Sequence, residues 1–214
     1  MDTFIKKLKG IYSQQKGKIE SKLSEFRKVW YEGDEERIFL ELVFCILTPQ
    51  SRAQSCWNCA QELYESNLLL NGEEKGISDK LNRVRFKNKK AEYIVRARNL
   101  FTNRGKISIR NKIKQLKDED RREWLVRNVK GMGYKEASHF LRNIGLGENL
   151  AILDRHIMKN LMIAAAIGKI PVSLTRKRYL QIEKKMRKFA QKINIPIGHL
   201  DFVLWYKETG MIFK

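Results

Sequence analysis

Lys135 and Asp154, nineteen residues apart, are the residues whose types and placement best fit chemistry in this chain. Lys135 ends the run Val129-Lys-Gly-Met-Gly-Tyr-Lys135, in which Gly131 and Gly133 let the chain turn sharply between two stretches of helical periodicity. The spacing predicts helix, short turn, helix, with Lys135 in the first turn of the second helix. The macrodipole disfavours an ammonium there. A lysine so placed either presents a neutral amine, which is a nucleophile, or reaches out to a phosphate, and residue type and position leave both open. The amides that open the second helix predict an anion site for one phosphate, with Gly131 and Gly133 bringing the main chain close to its partner. Asp154 follows the apolar Ala151-Ile-Leu153 and precedes another helical period, the position of an N-cap. Capping and catalysis are compatible, because helix amides keep a carboxylate ionised and aimed.

The charge balance says what such chemistry would act on. Lys and Arg number 44 against 24 Asp and Glu in 214 residues, a formal net charge of +20. With 43% hydrophobic and 10% aromatic residues, a disordered basic tail is excluded. A folded basic protein answers to a polyanion, nucleic acid first. The segment 80–115 holds 13 basic residues and one acid, and 159–192 holds ten and one, whereas 31–41 holds five acids and one Arg. Solvated helix faces mix signs, because like charges at i,i+4 repel, so the missing acids point to binding faces. No run approaches the roughly 18 apolar residues of a membrane span, so no membrane partner is expected. The N-terminal Met1-Asp-Thr-Phe-Ile-Lys-Lys7 lacks the apolar stretch of a secretory signal. Three cysteines fit a reducing compartment. Cys56-Trp-Asn-Cys59 has only Cys45 to join it, which is short of a four-Cys cluster, so all three read as core cysteines.

The elements that must position these residues are helices. Phe4 to Trp30 carries one long amphipathic period, and Asp34 can cap a helix to Leu47 that is apolar all round and therefore central. Pro49 breaks it, and Ser51 can cap a third helix through Tyr64. The polar stretch 67–78 reads as loop with one turn of helix. Helices are expected over 87–101, 111–116 and 118–128, the last capped by Asp118. Helical period returns after Gly133 and stops at Gly145, and further helices follow caps at Asp154 and Ser173. A final helix runs from Pro196 to Gly210. Period-2 alternation appears only at 106–110. The expectation is an all-α fold with two helical lobes, a substrate cleft between them and a helix-hairpin-helix at about 118–145, all in one unit over 1–214.

Val129-Lys-Gly-Met-Gly-Tyr-Lys135, with Ile152-Leu-Asp-Arg-His-Ile157 downstream, resembles the helix-hairpin-helix/Gly-Pro-Asp superfamily of DNA glycosylases. Within it the chain is similar to the archaeal-type, second class of 8-oxoguanine DNA glycosylase/AP lyase. The segments 45–51, 85–94 and 200–214 share the likeness, so it covers most of the chain. Two departures are visible: the 145–153 loop has no proline, and the four-Cys cluster of the endonuclease III branch is missing.

The resemblance implies that Lys135 attacks the sugar, that Asp154 stabilises the developing positive charge, and that Gly131 and Gly133 hold DNA. It further implies that Gln50 and Phe86 intrude into the duplex, that Trp205 can stack on a flipped purine, and that the tail folds back so that the Lys214 carboxylate meets the lesion. It calls for no cofactor or metal. The expected partner is double-stranded DNA carrying 8-oxoguanine, met by a monomer in a prokaryotic cytoplasm, at the nucleoid. His139 and His156 read as surface or capping histidines. A same-superfamily glycosylase for another damaged base, or a non-enzymatic helix-hairpin-helix DNA-binding protein, remain the alternatives.

Overall fold

A computed structural model describes residues 2–214. Twelve helices occupy the described residues: α1 (Asp2–Tyr31), α2 (Glu35–Leu47), α3 (Ala53–Glu65), α4 (Leu68–Asn71), α5 (Glu74–Lys80), α6 (Lys87–Phe101), α7 (Ile109–Lys114), α8 (Asp118–Asn128), α9 (Tyr134–Asn143), α10 (Arg155–Ile163), α11 (Arg176–Ile193) and α12 (Ile197–Thr209). A small antiparallel hairpin, β1 (Thr102–Asn103) and β2 (Lys106–Ile107), joins α6 to α7. Its turn holds Arg104 and Gly105 at positive φ, the geometry that matches strand twist in a two-residue loop. The alternation at 106–110 therefore marks one strand of a hairpin.

Two apolar clusters make the lobes. α2 runs through the first, and every residue from Ile38 to Leu47 is buried; Cys45, Cys56 and Cys59 lie in this core. α3, α6, α7 and the apolar faces of α8 and α9 surround it. The second cluster joins α10, α11 and α12 to Leu8, Ile19, Leu23 and Phe26 of α1. α1 spans both, since Val29 and Trp30 pack in the first cluster. The C-terminal tail does the same, with Phe213 against the first cluster and Ile212 against the second. No helix of the described residues is long and apolar enough to cross a membrane.

Several caps differ from expectation. Asp34 accepts from Arg37 N at 2.7 Å and Asp154 from Ile157 N at 2.8 Å, as their positions predict. Ser51 does not cap α3, whose N-cap is Arg52; its hydroxyl is taken by two donors from α6 and the turn before it. Thr175, not Ser173, caps α11. Asp118 is the first helical residue of α8 rather than its cap. The polar 67–78 stretch forms α4 and most of α5, because Leu69 and Ile77 bury themselves in the first core and override a composition that reads as loop.

Candidate active site

α8, the Val129–Gly133 turn and α9 form the expected helix-hairpin-helix. Gly131 has φ +84°, and a Cβ there would lie 2.3 Å from Tyr93 Cδ2, so only glycine fits. Gly131→Ala is expected to lower stability by about 1–3 kcal/mol, read as a lower midpoint of thermal unfolding. An unchanged midpoint would contradict the close approach to Tyr93. The hairpin amides are less free than expected. Glu136, three residues into the helix end, turns back and accepts from Gly133 N at 3.1 Å. Positive charge at the hairpin comes instead from side chains: Arg96, Arg127 and Lys130 line a hollow of about 470 Å³ with Gly131 at its edge.

Lys135 lies in the first turn of α9, with 21% of its side chain exposed. Its Nζ donates to Thr48 Oγ1 at 3.0 Å and lies 3.5 Å from Glu136 Oε1. The Thr48 hydroxyl hydrogen is committed to Cys45 O at 2.9 Å, so a lone pair is what meets the amine. Thr48 thus takes one N–H of Lys135, and Glu136 stands on the same amine as its ion-pair partner.

Asp154 is held from behind. The three residues that lead to it are fastened to α11: Tyr179 OH donates to Ala151 O at 2.6 Å and accepts from Leu153 N at 3.3 Å. Glu183 Oε1 accepts from Ala151 N at 2.8 Å. Glu183 is in turn gripped by two bonds from Arg122 of α8, at 2.8 and 2.9 Å. The loop before Asp154 is therefore tied to the same helix-hairpin-helix that carries Lys135.

A buried ion pair, Arg142 of α9 with Asp201 of α12, joins these two helices. Burial raises the Asp201 carboxyl to about 6; Arg142 opposes that rise, and Asp154 adds to it. Arg142 lies over the Phe202 ring, 4.5 Å from its centroid, which fixes α9 on α12.

The tail arrives from the other side. Lys214 Nζ pairs with Glu41 of α2, which is fully buried and also meets Arg37 at 3.1 Å and Asn143 Nδ2 at 3.2 Å. The same ammonium stands 3.6 Å from the centroid of the Trp57 ring, and Phe213 sets its edge on Phe44. Burial lowers the Lys214 amine, with Glu41 opposing. Phe44 of α2 carries Lys214 over its ring at 5.8 Å and His139 edge-on at 5.3 Å, while Thr48 at the end of the same helix takes the Lys135 amine, so tail and nucleophile candidate both meet α2.

His139 is not a surface histidine. It is one turn beyond Lys135, 5% exposed, packed edge-on against Phe44, and neither ring nitrogen has a partner. Burial, with Arg142 and Lys135 beside it, keeps the ring neutral. His156 stays near the surface of α10, edge-on to Trp205 at 5.2 Å. Trp205 therefore stands beside the residues that follow Asp154, with its indole N–H buried and unpaired. Gln50 and Phe86 are both exposed and both held in the left-handed region, at φ +55° and +60°. Their turns are joined by Arg85 N donating to Ser51 Oγ at 3.1 Å.

Sequence reasoning missed Thr48, Glu41, Trp57, Lys90, Arg142 and Asp201. Glu41 carried a signal, as an acid inside a ten-residue apolar run. The others become partners only when α2, α3, α6, α9 and α12 meet. No group of three or more His, Cys, Asp or Glu among the described residues could hold a metal.

A family model described as 8-oxoguanine DNA glycosylase matches residues 19–195. The 8-oxoguanine DNA glycosylase/AP lyase of Fusobacterium nucleatum is 44% identical over 212 residues, covering 99% of this chain and 98% of its own. The crystal structure of the Thermotoga maritima 8-oxoguanine DNA glycosylase superposes with a TM-score of 0.88 at 36% identity over the whole of both chains. That of the Methanocaldococcus jannaschii 8-oxoguanine glycosylase/lyase, in complex with a 15mer DNA containing 8-oxoguanine, does so with 0.88 at 35% identity, covering 99% of this chain and 100% of its own.

Proposed function

Because the chain belongs to the 8-oxoguanine DNA glycosylase family, and is a bifunctional DNA repair enzyme with glycosylase and AP lyase activities, we propose that Lys135 is the nucleophile shared by both steps and Asp154 its electrostatic partner. The observation that carries this reading is the setting of the Lys135 amine, in the first turn after the hairpin and held by Thr48 at 3.0 Å.

The lesion is flipped out of the duplex at a cost of a few kcal/mol, offset by phosphate contacts from the basic helices and the hairpin. The Lys135 nitrogen attacks C1′ through its lone pair, forming the N–C1′ bond as the glycosidic bond breaks and the base departs with that bond's electron pair. Loss of the amine proton and opening of the sugar ring give the Schiff base. Removal of a C2′ proton then expels the 3′ phosphate, cutting the strand 3′ to the lesion. Asp154, its direction set by Ile157 N and by the Tyr179 and Glu183 clamps, stabilises positive charge on the sugar. Phe86 and Gln50, on their joined turns, fill the gap in the duplex; Trp205 stacks on the flipped base; the Lys214 tail reads it. The enzyme works as a monomer on double-stranded DNA carrying 8-oxoguanine, in the cytoplasm at the nucleoid.

Borohydride trapping on an 8-oxoguanine duplex tests the reading: a covalent protein–DNA adduct mapped to Lys135 is expected, and its absence would overturn Lys135 as the imine-forming nucleophile. Asp154→Asn is expected to lower excision by about 10²–10³-fold, the loss of a charge aimed at the developing cation. Asn caps nearly as well as Asp, so thermal stability should hold; a large drop in melting temperature would show that the loss is one of folding. Binding should be mainly electrostatic. Six to ten phosphate contacts would weaken affinity by roughly 10³–10⁵ between 50 and 200 mM salt, and a flat response would contradict the reading of the two basic segments.

A further inference from the structure

Lys90 is the one buried lysine of α6, 4% exposed, and the chemistry above leaves it unused. Its Nζ donates to Leu47 O at 2.7 Å, Pro49 O at 2.7 Å and Ser51 Oγ at 3.2 Å. All three acceptors are neutral, so the ammonium lacks a bonded counter-ion. Burial lowers its pKa to about 8, with Cys56 and Glu136 opposing the fall and the charges of Lys135 and Arg85 adding to it. A charged group kept there at neutral pH costs stability that an apolar side chain of the same length would not.

The three bonds fix the turn between α2 and α3. Leu47 closes α2, where a cation suits the helix end. Ser51 N donates to Thr48 O at 3.1 Å, so the tie at Ser51 also fixes Thr48. Thr48 is the partner of the Lys135 amine. Gln50 is held within the same turn in its left-handed conformation. Ser51 Oγ also takes Arg85 N, and Lys90 N donates to Phe86 O at 3.0 Å, which brings the Phe86 turn under the same tie.

We propose that Lys90 is a positioning residue: its buried ammonium holds the α2–α3 turn so that Thr48 orients the Lys135 amine while Gln50 and Phe86 stand ready at the duplex. The proposal rests on Lys135 being the nucleophile. It acts through Thr48, so the two residues must be coupled.

Single-turnover cleavage and trapping at a preformed abasic site, with affinity measured on the same duplex, test this. Lys90→Met is expected to slow the chemical step roughly 10- to 100-fold, the cost of a nucleophile about 1 Å out of place, with affinity changed less than about threefold. Thr48→Val should do the same, and Thr48→Ser, which keeps the hydroxyl, should restore most of the rate. Lys90→Met combined with Thr48→Val should be no slower than the slower single variant. Multiplied losses, or a loss confined to affinity, would overturn the proposal. Should Lys90→Met not fold, Ser51→Ala removes one acceptor and leaves the ammonium; a several-fold slower chemical step at unchanged affinity supports the tie, and an unchanged rate overturns it. Peptide mapping of the trapped adduct keeps the two readings apart. An adduct on Lys135 with an unchanged rate in Lys90→Met sinks only this proposal, whereas an adduct on another lysine sinks the assignment of the nucleophile.

Discussion

Replacing Lys135 with Gln is expected to abolish both the trapped adduct and strand cleavage, a fall on the order of 10³-fold or more, while lesion-DNA affinity stays within a few fold. The Gln amide retains an N–H for Thr48 Oγ1, so the α2–α9 contact at 3.0 Å in the native chain has a substitute. What disappears is the lone pair that forms the bond to C1′. Affinity should survive because the basic stretches and Arg96, Arg127 and Lys130 around the hairpin, to which the phosphate contacts are proposed to fall, are unchanged. Trapping at the wild-type rate would mean that another amine attacks, and Lys90, bonded to the turn that carries Thr48, is the first to examine.

Deleting residues 211–214 is expected to lower 8-oxoguanine excision by at least about tenfold and to leave cleavage at a preformed abasic site within a few fold. The tail is anchored from both ends of its chemistry: Phe213 packs on Phe44, and the Lys214 ammonium lies over Trp57 and against Glu41. Such anchoring puts the end of the chain beside Phe44, on which His139 packs, and Phe44 belongs to the helix whose end holds Lys135 through Thr48. A group there can meet a base in the pocket but has nothing to read at an abasic sugar. Glu41 keeps Arg37 and Asn143 after the deletion, so no carboxylate is stranded. The lost burial of Phe213 costs about 1–2 kcal/mol, small enough that the variant should remain folded at assay temperature. Equal loss of the two activities, or of neither, would remove the tail from base recognition.

Much of this was legible along the chain, because the relevant forces act over one or two helical turns. Caps at Asp34 and Asp154, the stop at Gly145 and the all-round burial of α2 follow from local hydrogen bonding and periodicity. Gly145, at φ +74° with Arg27 main chain 2.6 Å from where its Cβ would be, ends α9 and seats it on α1 at once. The hairpin that carries Lys135 was legible too, because the positive φ of Gly131 and its close approach to Tyr93 are a backbone constraint that glycine spacing announces. The misassigned caps at Ser51 and Ser173 fail for one reason: a hydroxyl near a helix start serves whichever donor comes closest, and tertiary contacts brought Lys90 and Arg85 to Ser51.

His139 shows where sequence stops. On α9 its spacing allows either face, and only the meeting of α9 with Phe44 of α2 buries it with both nitrogens unpaired. The same holds for the ion pairs Arg142–Asp201 and Lys214–Glu41, whose members are 59 and 173 residues apart. Sequence by itself determined the helices, the basic faces and the nucleophile candidate with its carboxylate. The tertiary structure alone decided which buried charges compensate one another, because desolvation makes each partner's identity depend on what packs around it. It also decided that Thr48, 87 residues from Lys135 along the chain, receives the amine, since a single directional hydrogen bond has no signature until both ends are in place.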